Sequence, residues 1–344
     1  MARAARVRDI EMANLLVTGG AGYVGSVCCA ELLRLGHSVT IVDDLSTGHR
    51  DAAPAGAVFL TADIGNQAAM KSLLSNIRFD AVFHFAAKAL VPESVANPGA
   101  FFQSNVASGI VMLEALRDAG VRNFVFSSSA AIYGTPQRVP IDEDDPKLPV
   151  NSYGETKLMF ERVLEWYARA YGWSVTALRY FNASGATADL GERHEPETHI
   201  IPLLLQTAAG ERKAFNIYGD DYDTPDGTCV RDYVHVLDIA GAHICALRML
   251  NEPGMHAYNI GTGTSYSVRE VCKAAAEVTG RSIALRVSAR REGDPAMLCA
   301  SPRRIMRELG WQPEHSSLHE ILESAWRWKR RQPVTSMAAL PAGR

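Results

Sequence analysis

Short apolar runs alternate with amphipathic stretches along the first 182 residues. Leu15-Leu16-Val17 is followed by a helical pattern from about Gly22 to Leu35, then by the apolar runs 38–43 and 58–61. A helix is predicted around 67–76, a strand over 81–85, a helix over 104–119 and a strand over 123–127. The last helix of the series begins near Tyr153 and leads into a strand over 175–181. β-Branched runs spaced by helices predict β-α-β units and a parallel sheet. Right-handed crossovers make that sheet doubly wound, with ligands at the carboxyl ends of its strands.

After Asn182 the alternation breaks. Residues 183–227 are rich in Gly, Pro, Asp, Thr and His, with one helix predicted over 200–209 and others over 238–250, 267–279 and 316–331. The pattern divides the chain into a first α/β unit over 12–182 and a smaller mixed α/β portion over 183–331. Flexible tails are expected at 1–11 and 332–344.

Composition narrows the class. Of 344 residues, 47% are hydrophobic and 21% charged, so the chain can bury a core and is not disordered as a whole. The net charge of −3 offers no basic field to nucleic acid or to an anionic membrane. No apolar run approaches the roughly 18 residues of a membrane span. With no signal-peptide pattern at the start, a cytoplasmic protein is expected. The six cysteines form no C-x-x-C pair and no disulfide framework. His315 and His319 stand one helical turn apart without a third ligand nearby, so no metal is expected.

The chemistry begins at Val17-Thr-Gly19-Gly-Ala-Gly22-Tyr23-Val24-Gly25, between the first strand and the first helix. Glycines at 19, 22 and 25 permit a tight turn, close approach of backbone to a pyrophosphate, and close helix–strand packing. The helix N-terminus then offers free N–H groups to phosphate. Asp43, ending the second strand, suits the adenosine ribose hydroxyls and would repel a 2′-phosphate, which argues for NAD over NADP. Asp44 beside it is a second candidate for the cofactor, and a capping or turn role fits it better than Asp43. Asp63-Ile64, after the third strand, is placed for the adenine edge. Tyr153 and Lys157 lie four apart on one helix face. A phenol titrates near 10, and a neighbouring ammonium with the positive nicotinamide would bring it toward a working base. Ser129 closes the preceding strand, where its hydroxyl can orient a substrate oxygen toward that phenol.

These elements in this order resemble the extended short-chain dehydrogenase/reductase family. The segments Gly19–Ser26, His84–Ala87, Phe126–Ala130, Tyr153–Lys157, Arg179–Asn182, Val230–His235, Ala257–Gly261 and Arg290–Asp294 are similar to those of its UDP-glucose 4-epimerase branch. The resemblance covers about residues 12–330. It implies a Rossmann-type domain, a tightly held NAD, and reversible C4 epimerisation of UDP-glucose and UDP-galactose through a 4-keto sugar. It further implies Tyr153 as general base and acid, Lys157 on the nicotinamide ribose, and Ser129 on the C4 oxygen. Phe85, Ala86, Ala87, Asn105 and Phe181 match positions lining the cofactor. Asn182, Arg231, Arg291 and Asp294 match those holding the UDP portion, and two guanidinium groups suit a diphosphate. Asn216 and Tyr218 match the segment along the uracil. A homodimer is implied, pairing 101–119 and 152–171 with their copies through residues such as Phe102, Val106, Ile110, Leu113, Leu158, Phe160, Val163, Leu164 and Trp166.

The chain departs from that pattern at Lys88, one position early for the family's lysine, at Asp44 where asparagine is frequent, and at Ala131 in place of threonine. Leu298 matches the position that gates the sugar pocket. Ala130-Ala131 lack the acid–base pair of a 4,6-dehydratase. Another UDP-sugar enzyme of the family (an N-acetylhexosamine, pentose or uronate 4-epimerase, or a UDP-glucuronate decarboxylase) is the alternative reading. A non-catalytic NAD-binding scaffold would be expected to lack one of Ser129, Tyr153 and Lys157, and all three are present.

Overall fold

The computed structural model describes residues 12–332 apart from residue 292. The expected tails therefore lie outside the described residues, save Gln332. Six strands follow in chain order: β1 (Asn14–Thr18), β2 (Ser38–Asp43), β3 (Val58–Thr61), β4 (Ala81–His84), β5 (Asn123–Ser129) and β6 (Ser174–Tyr180). Beyond them come β7 (Asn182–Ser184), β8 (Phe215–Tyr218), β9 (Val230–His235), β10 (Gly254–Ile260), β11 (Ser265–Ser267), β12 (Leu285–Ser288) and β13 (Met297–Leu298). The central sheet has seven parallel strands in the order β10-β6-β5-β4-β1-β2-β3.

Parallel strands buried on both faces explain why these runs are continuously apolar. In β1, Leu15 and Val17 face one core, with Val27 and Leu32 of the helix Tyr23–Arg34 and Ile239 of the helix Val236–Ala246. Leu16 faces the other core, with Met70, Leu113, Phe160 and Leu164 from the helices Gln67–Asn76, Ser108–Asp118 and Ser152–Tyr171. Burying Leu, Ile, Val and Phe side chains contributes about 1.5–3 kcal/mol each, which is why both faces are covered.

The strand order reverses between β1 and β4, and the crevice of a doubly wound sheet opens at that point. The chain does not leave this unit for good at residue 182. The helix Val236–Ala246 and β10 return to it, β10 lying parallel to β6 from Gly254↔Ser174 to Ile260↔Tyr180. The remaining strands build two smaller sheets: β9 with β7, β11 and β13, and β8 with β12. A separate core of Ile201, Leu204, Phe215, Val271 and Ile321 supports them. Among the described residues no helix is long and apolar enough to cross a membrane.

Candidate active site

Local chemistry shapes the first wall. Gly19 has φ +74°, and a Cβ there would fall 2.4 Å from the Ala86 nitrogen. A Cβ at Gly25 would fall 2.2 Å from the Gly19 carbonyl oxygen. Side chains are thus excluded where the turn meets the end of β4 and where the helix packs on the turn. Gly22 caps the helix with no side-chain partner, leaving the first N–H groups without a side-chain acceptor from the cap. Asp43 is buried, its carboxylate accepting from the Ala21 and Leu45 nitrogens at 2.9 Å each. Asp44 accepts from the Ser46 nitrogen and hydroxyl, the turn-capping role its position suggested. Asp63 accepts from Gly65 N at 2.8 Å in a similar turn.

The second wall is the start of the helix Ser152–Tyr171. Asn151 caps it by accepting from Gly154 N, and Gly154 is required because a Cβ there would meet the Ala131 carbonyl oxygen at 2.4 Å. This close approach brings Tyr153 against the end of β5. Burial raises the Tyr153 pKa above the ordinary value, against a smaller opposing influence of the Ser129 hydroxyl, whose oxygen accepts from Ala131 N at 3.1 Å. Lys157 is buried and donates from Nζ to the Ser127 carbonyl at 2.8 Å. Burial lowers its pKa to about 7, against a smaller opposing pull from Glu161. The ammonium stands 5.8 Å from the Tyr153 ring centroid. The expected lowering of the phenol by Lys157 is therefore not achieved by these residues alone, and the missing positive charge is what a bound nicotinamide carries.

One cleft of about 1570 Å³ joins these walls to the smaller sheets. That exceeds the roughly 300–1,000 Å³ of a pocket for one small ligand, and suits two. It is lined by Gly19, Gly22, Tyr23, Val24, Gly25, Asp43, Asp44, Asp63, Ile64, Phe85, Ala86 and Ala87 from the dinucleotide side, and by Ser129, Tyr153, Lys157 and Phe181. Asn182, Asn216, Tyr218, Arg231, Arg291 and Asp294 line it as well. Arg231 is buried and ion-paired with Asp294, which fixes its guanidinium, and Arg291 stacks 4.0 Å over the Tyr218 ring. The Arg291 guanidinium beside it lowers the Tyr218 pKa. Leu298, also in the wall, pairs in register with Arg231. The glycine cradle, the acidic end of β2 and the helix N-terminus fit NAD.

Asn105 is placed differently from the expectation. It is buried in a single π-helical turn, Gln103–Ala107, behind the wall. Its amide accepts from Lys88 N at 2.8 Å and donates to Lys88 O and to the Thr156 hydroxyl, both at 3.0 Å. It ties the segment after β4 to the helix of Tyr153, so it positions the wall rather than forming it. Lys88 itself turns to Glu93, with Nζ 3.3 Å from the carboxylate. His315 pairs with Glu320 at 2.7 Å. Reading the sequence missed the stretch Glu192–His199, which lines the cleft. Two histidines and three glutamates within eight residues were the available signal.

The chain matches the NAD dependent epimerase/dehydratase family over residues 15–261. It is 51% identical over 314 residues to the UDP-glucose 4-epimerase of Corynebacterium glutamicum, covering 91% of this chain and 94% of that one. The crystal structure of UDP-glucose 4-epimerase from Brucella ovis in complex with NAD superposes with a TM-score of 0.88 at 45% identity, covering 91% and 97%. That from Bifidobacterium longum in complex with NAD+ and UDP gives 0.89 at 36% identity, covering 93% and 99%.

Proposed function

The chain belongs to the NAD dependent epimerase/dehydratase family, and from that premise we propose that it interconverts UDP-glucose and UDP-galactose at C4. The observation that carries this reading is one cleft lined by the Gly19–Gly25 turn, by Ser129, Tyr153 and Lys157, and by Arg231 and Arg291. When bound, NAD supplies a reversible hydride acceptor. Tyr153 takes the C4 hydroxyl proton and returns one after the sugar has turned over. Ser129 holds the C4 oxygen against the phenol, and Lys157, poised near neutrality, binds the nicotinamide ribose. Arg231 and Arg291 hold the diphosphate, with Asn182 and Asp294 beside it, while Asn216 and Tyr218 run along the uracil. Residues 12–182 carry the cofactor and 183–331 most of the nucleotide sugar. The enzyme is assigned to the cytoplasm, where nucleotide sugars are made.

The test is purified protein without added NAD, given UDP-galactose or UDP-N-acetylgalactosamine and followed by proton NMR. Conversion of UDP-galactose to UDP-glucose is expected, and the second sugar reads the tolerance of the Leu298 wall. If neither converts with NAD supplied, the hexose assignment falls, and UDP-xylose and UDP-glucuronate are next.

A homodimer belongs to the same proposal. Leu113, Leu158, Phe160 and Leu164 are fully or almost fully buried within the monomer, so they pack the core and do not face a partner. The exposed apolar residues of these stretches are Ile110, Met159, Trp166 and Tyr171, Trp166 being 67% exposed, and Met159, Val163 and Trp166 are spaced along one helix face. Sedimentation of the wild type is expected to give twice the chain mass, and that of Trp166→Glu the single mass. A wild-type monomer would remove this part of the reading.

A further inference from the structure

The loop between β7 and the helix Ile200–Ala208 gathers Glu192, His194, Glu197 and His199. One ligand atom from each lies within 4.8 Å of all the others. Among the described residues this is the one cluster of three or more His, Cys, Asp or Glu side chains so gathered. His194 Nδ1 lies 2.8 Å from Glu192 Oε1, and His199 Nδ1 lies 2.8 Å from the same oxygen and 2.9 Å from Glu197 Oε1. Adjacent donors around a metal at about 2.1 Å stand only slightly farther apart, so a small opening of the cluster admits an ion.

Two features set the cluster apart from a solvated patch of charge. The Glu192 and Glu197 side chains are only 9% and 8% exposed. Glu197 Oε1 is also held by the backbone N–H groups of Thr198 and His199, each at 2.7 Å, which is how outer groups orient a metal-binding carboxylate. With neutral imidazoles, two carboxylates in so small a volume leave a buried charge of −2 that must be balanced. Protons on both histidines can supply that balance, and a divalent cation can supply it with the imidazoles neutral. Two imidazole nitrogens with two carboxylate oxygens is donor chemistry for zinc and its first-row neighbours, whereas calcium and magnesium favour oxygen alone.

We propose that Glu192, His194, Glu197 and His199 bind one divalent transition-metal cation of the zinc type, closing the loop that crosses the rim of the cleft. The neighbouring anchors show what such a clip would secure. The Tyr23 hydroxyl donates to the Gly185 carbonyl at 2.6 Å, joining the start of the loop to the glycine turn. Arg193 pairs with Asp51 through both terminal nitrogens, at 3.0 and 2.7 Å, and its carbonyl lies 3.1 Å from His49 Nε2. The site is therefore structural, holding residues 192–199 across the segment that follows β2.

The full-length protein, stripped with EDTA and titrated with Zn2+ alone, is expected to take up one equivalent by calorimetry and to melt at a higher temperature when saturated. Co2+ in its place should give the visible absorption of a four- or five-coordinate site. His199→Ala and Glu192→Gln should each weaken zinc uptake by on the order of 100-fold, while His256→Ala on β10 leaves it unchanged. Glu192→Gln nearly preserves shape, so the test survives if His199→Ala fails to fold. A stripped protein that takes up no zinc overturns the assignment and leaves a proton-bridged ion-pair cluster. Variants that bind zinc as the wild type does overturn it equally, by placing the metal elsewhere.

Discussion

Replacing Tyr153 with phenylalanine is expected to lower kcat for UDP-galactose conversion by roughly 10³-fold, about 4 kcal/mol of barrier. The substitution removes one oxygen, that of the phenol, and leaves the ring in the cleft wall. NAD content, UDP affinity and melting temperature should therefore stay near those of the wild type, which separates lost chemistry from a lost fold. The pH profile adds a second reading. The active form of a base is the phenolate, and burial shifts Tyr153 toward the neutral phenol. Wild-type activity should accordingly rise with pH across the neutral range, and the residual activity of Tyr153→Phe should lack that rise. A variant keeping more than a tenth of the wild-type rate would place the proton transfer on another group.

The largest stability effect is expected one helical turn from Lys157. Glu161 and Arg179 form a pair about 5% exposed, with Nη2–Oε2 at 2.7 Å and Nε–Oε1 at 3.0 Å. Ser128 donates to the same carboxylate at 2.6 Å. The remaining guanidinium nitrogen reaches the Tyr133 hydroxyl and the Glu143 carbonyl, both at 2.9 Å, and Tyr133 donates in turn to Asn259 of β10 at 2.7 Å. The network thus spans β5, β6, β10 and the helix of Tyr153. Arg179→Met leaves the Glu161 carboxylate buried without its cation, an arrangement that costs about 3–5 kcal/mol. Chemical denaturation should show that loss, and the double variant Glu161→Met/Arg179→Met should recover much of it, because no unpaired charge then remains. A single variant within 1 kcal/mol of the wild type would mean that water reaches the pair, and the account of a dry network would fail.

Much of the site was legible because its signals are local. A positive φ at Gly19, the absence of a Cβ at Gly25, the Asp44 turn and the four-residue spacing of Tyr153 and Lys157 all act within one turn or one helix, where residue type and conformation are directly coupled. Six strands of the central sheet were likewise visible, because burial on both faces writes itself as apolar runs. The seventh was not: β10 joins β6 across some eighty residues, and nothing local to His256 or Tyr258 says which edge they will meet.

Asn105 makes the same point at the scale of a side chain. The family resemblance placed it among the residues lining the cofactor, and only the fold shows its amide spent on Lys88 and Thr156. The face proposed for a dimer shifted for a related reason, since Leu158 and Trp166 are equally apolar in sequence and differ only in which side of a packed helix they occupy. By itself, then, the sequence determined the strand–helix alternation and the glycine turn, and it singled out the side chains proposed to react. The tertiary structure alone decided that Lys157 is desolvated to a pKa of about 7, that Arg231 is held by Asp294, and that two glutamates and two histidines meet over the cleft. Burial, charge pairing and side-chain direction depend on neighbours distant in the chain, and only folding brings those neighbours together.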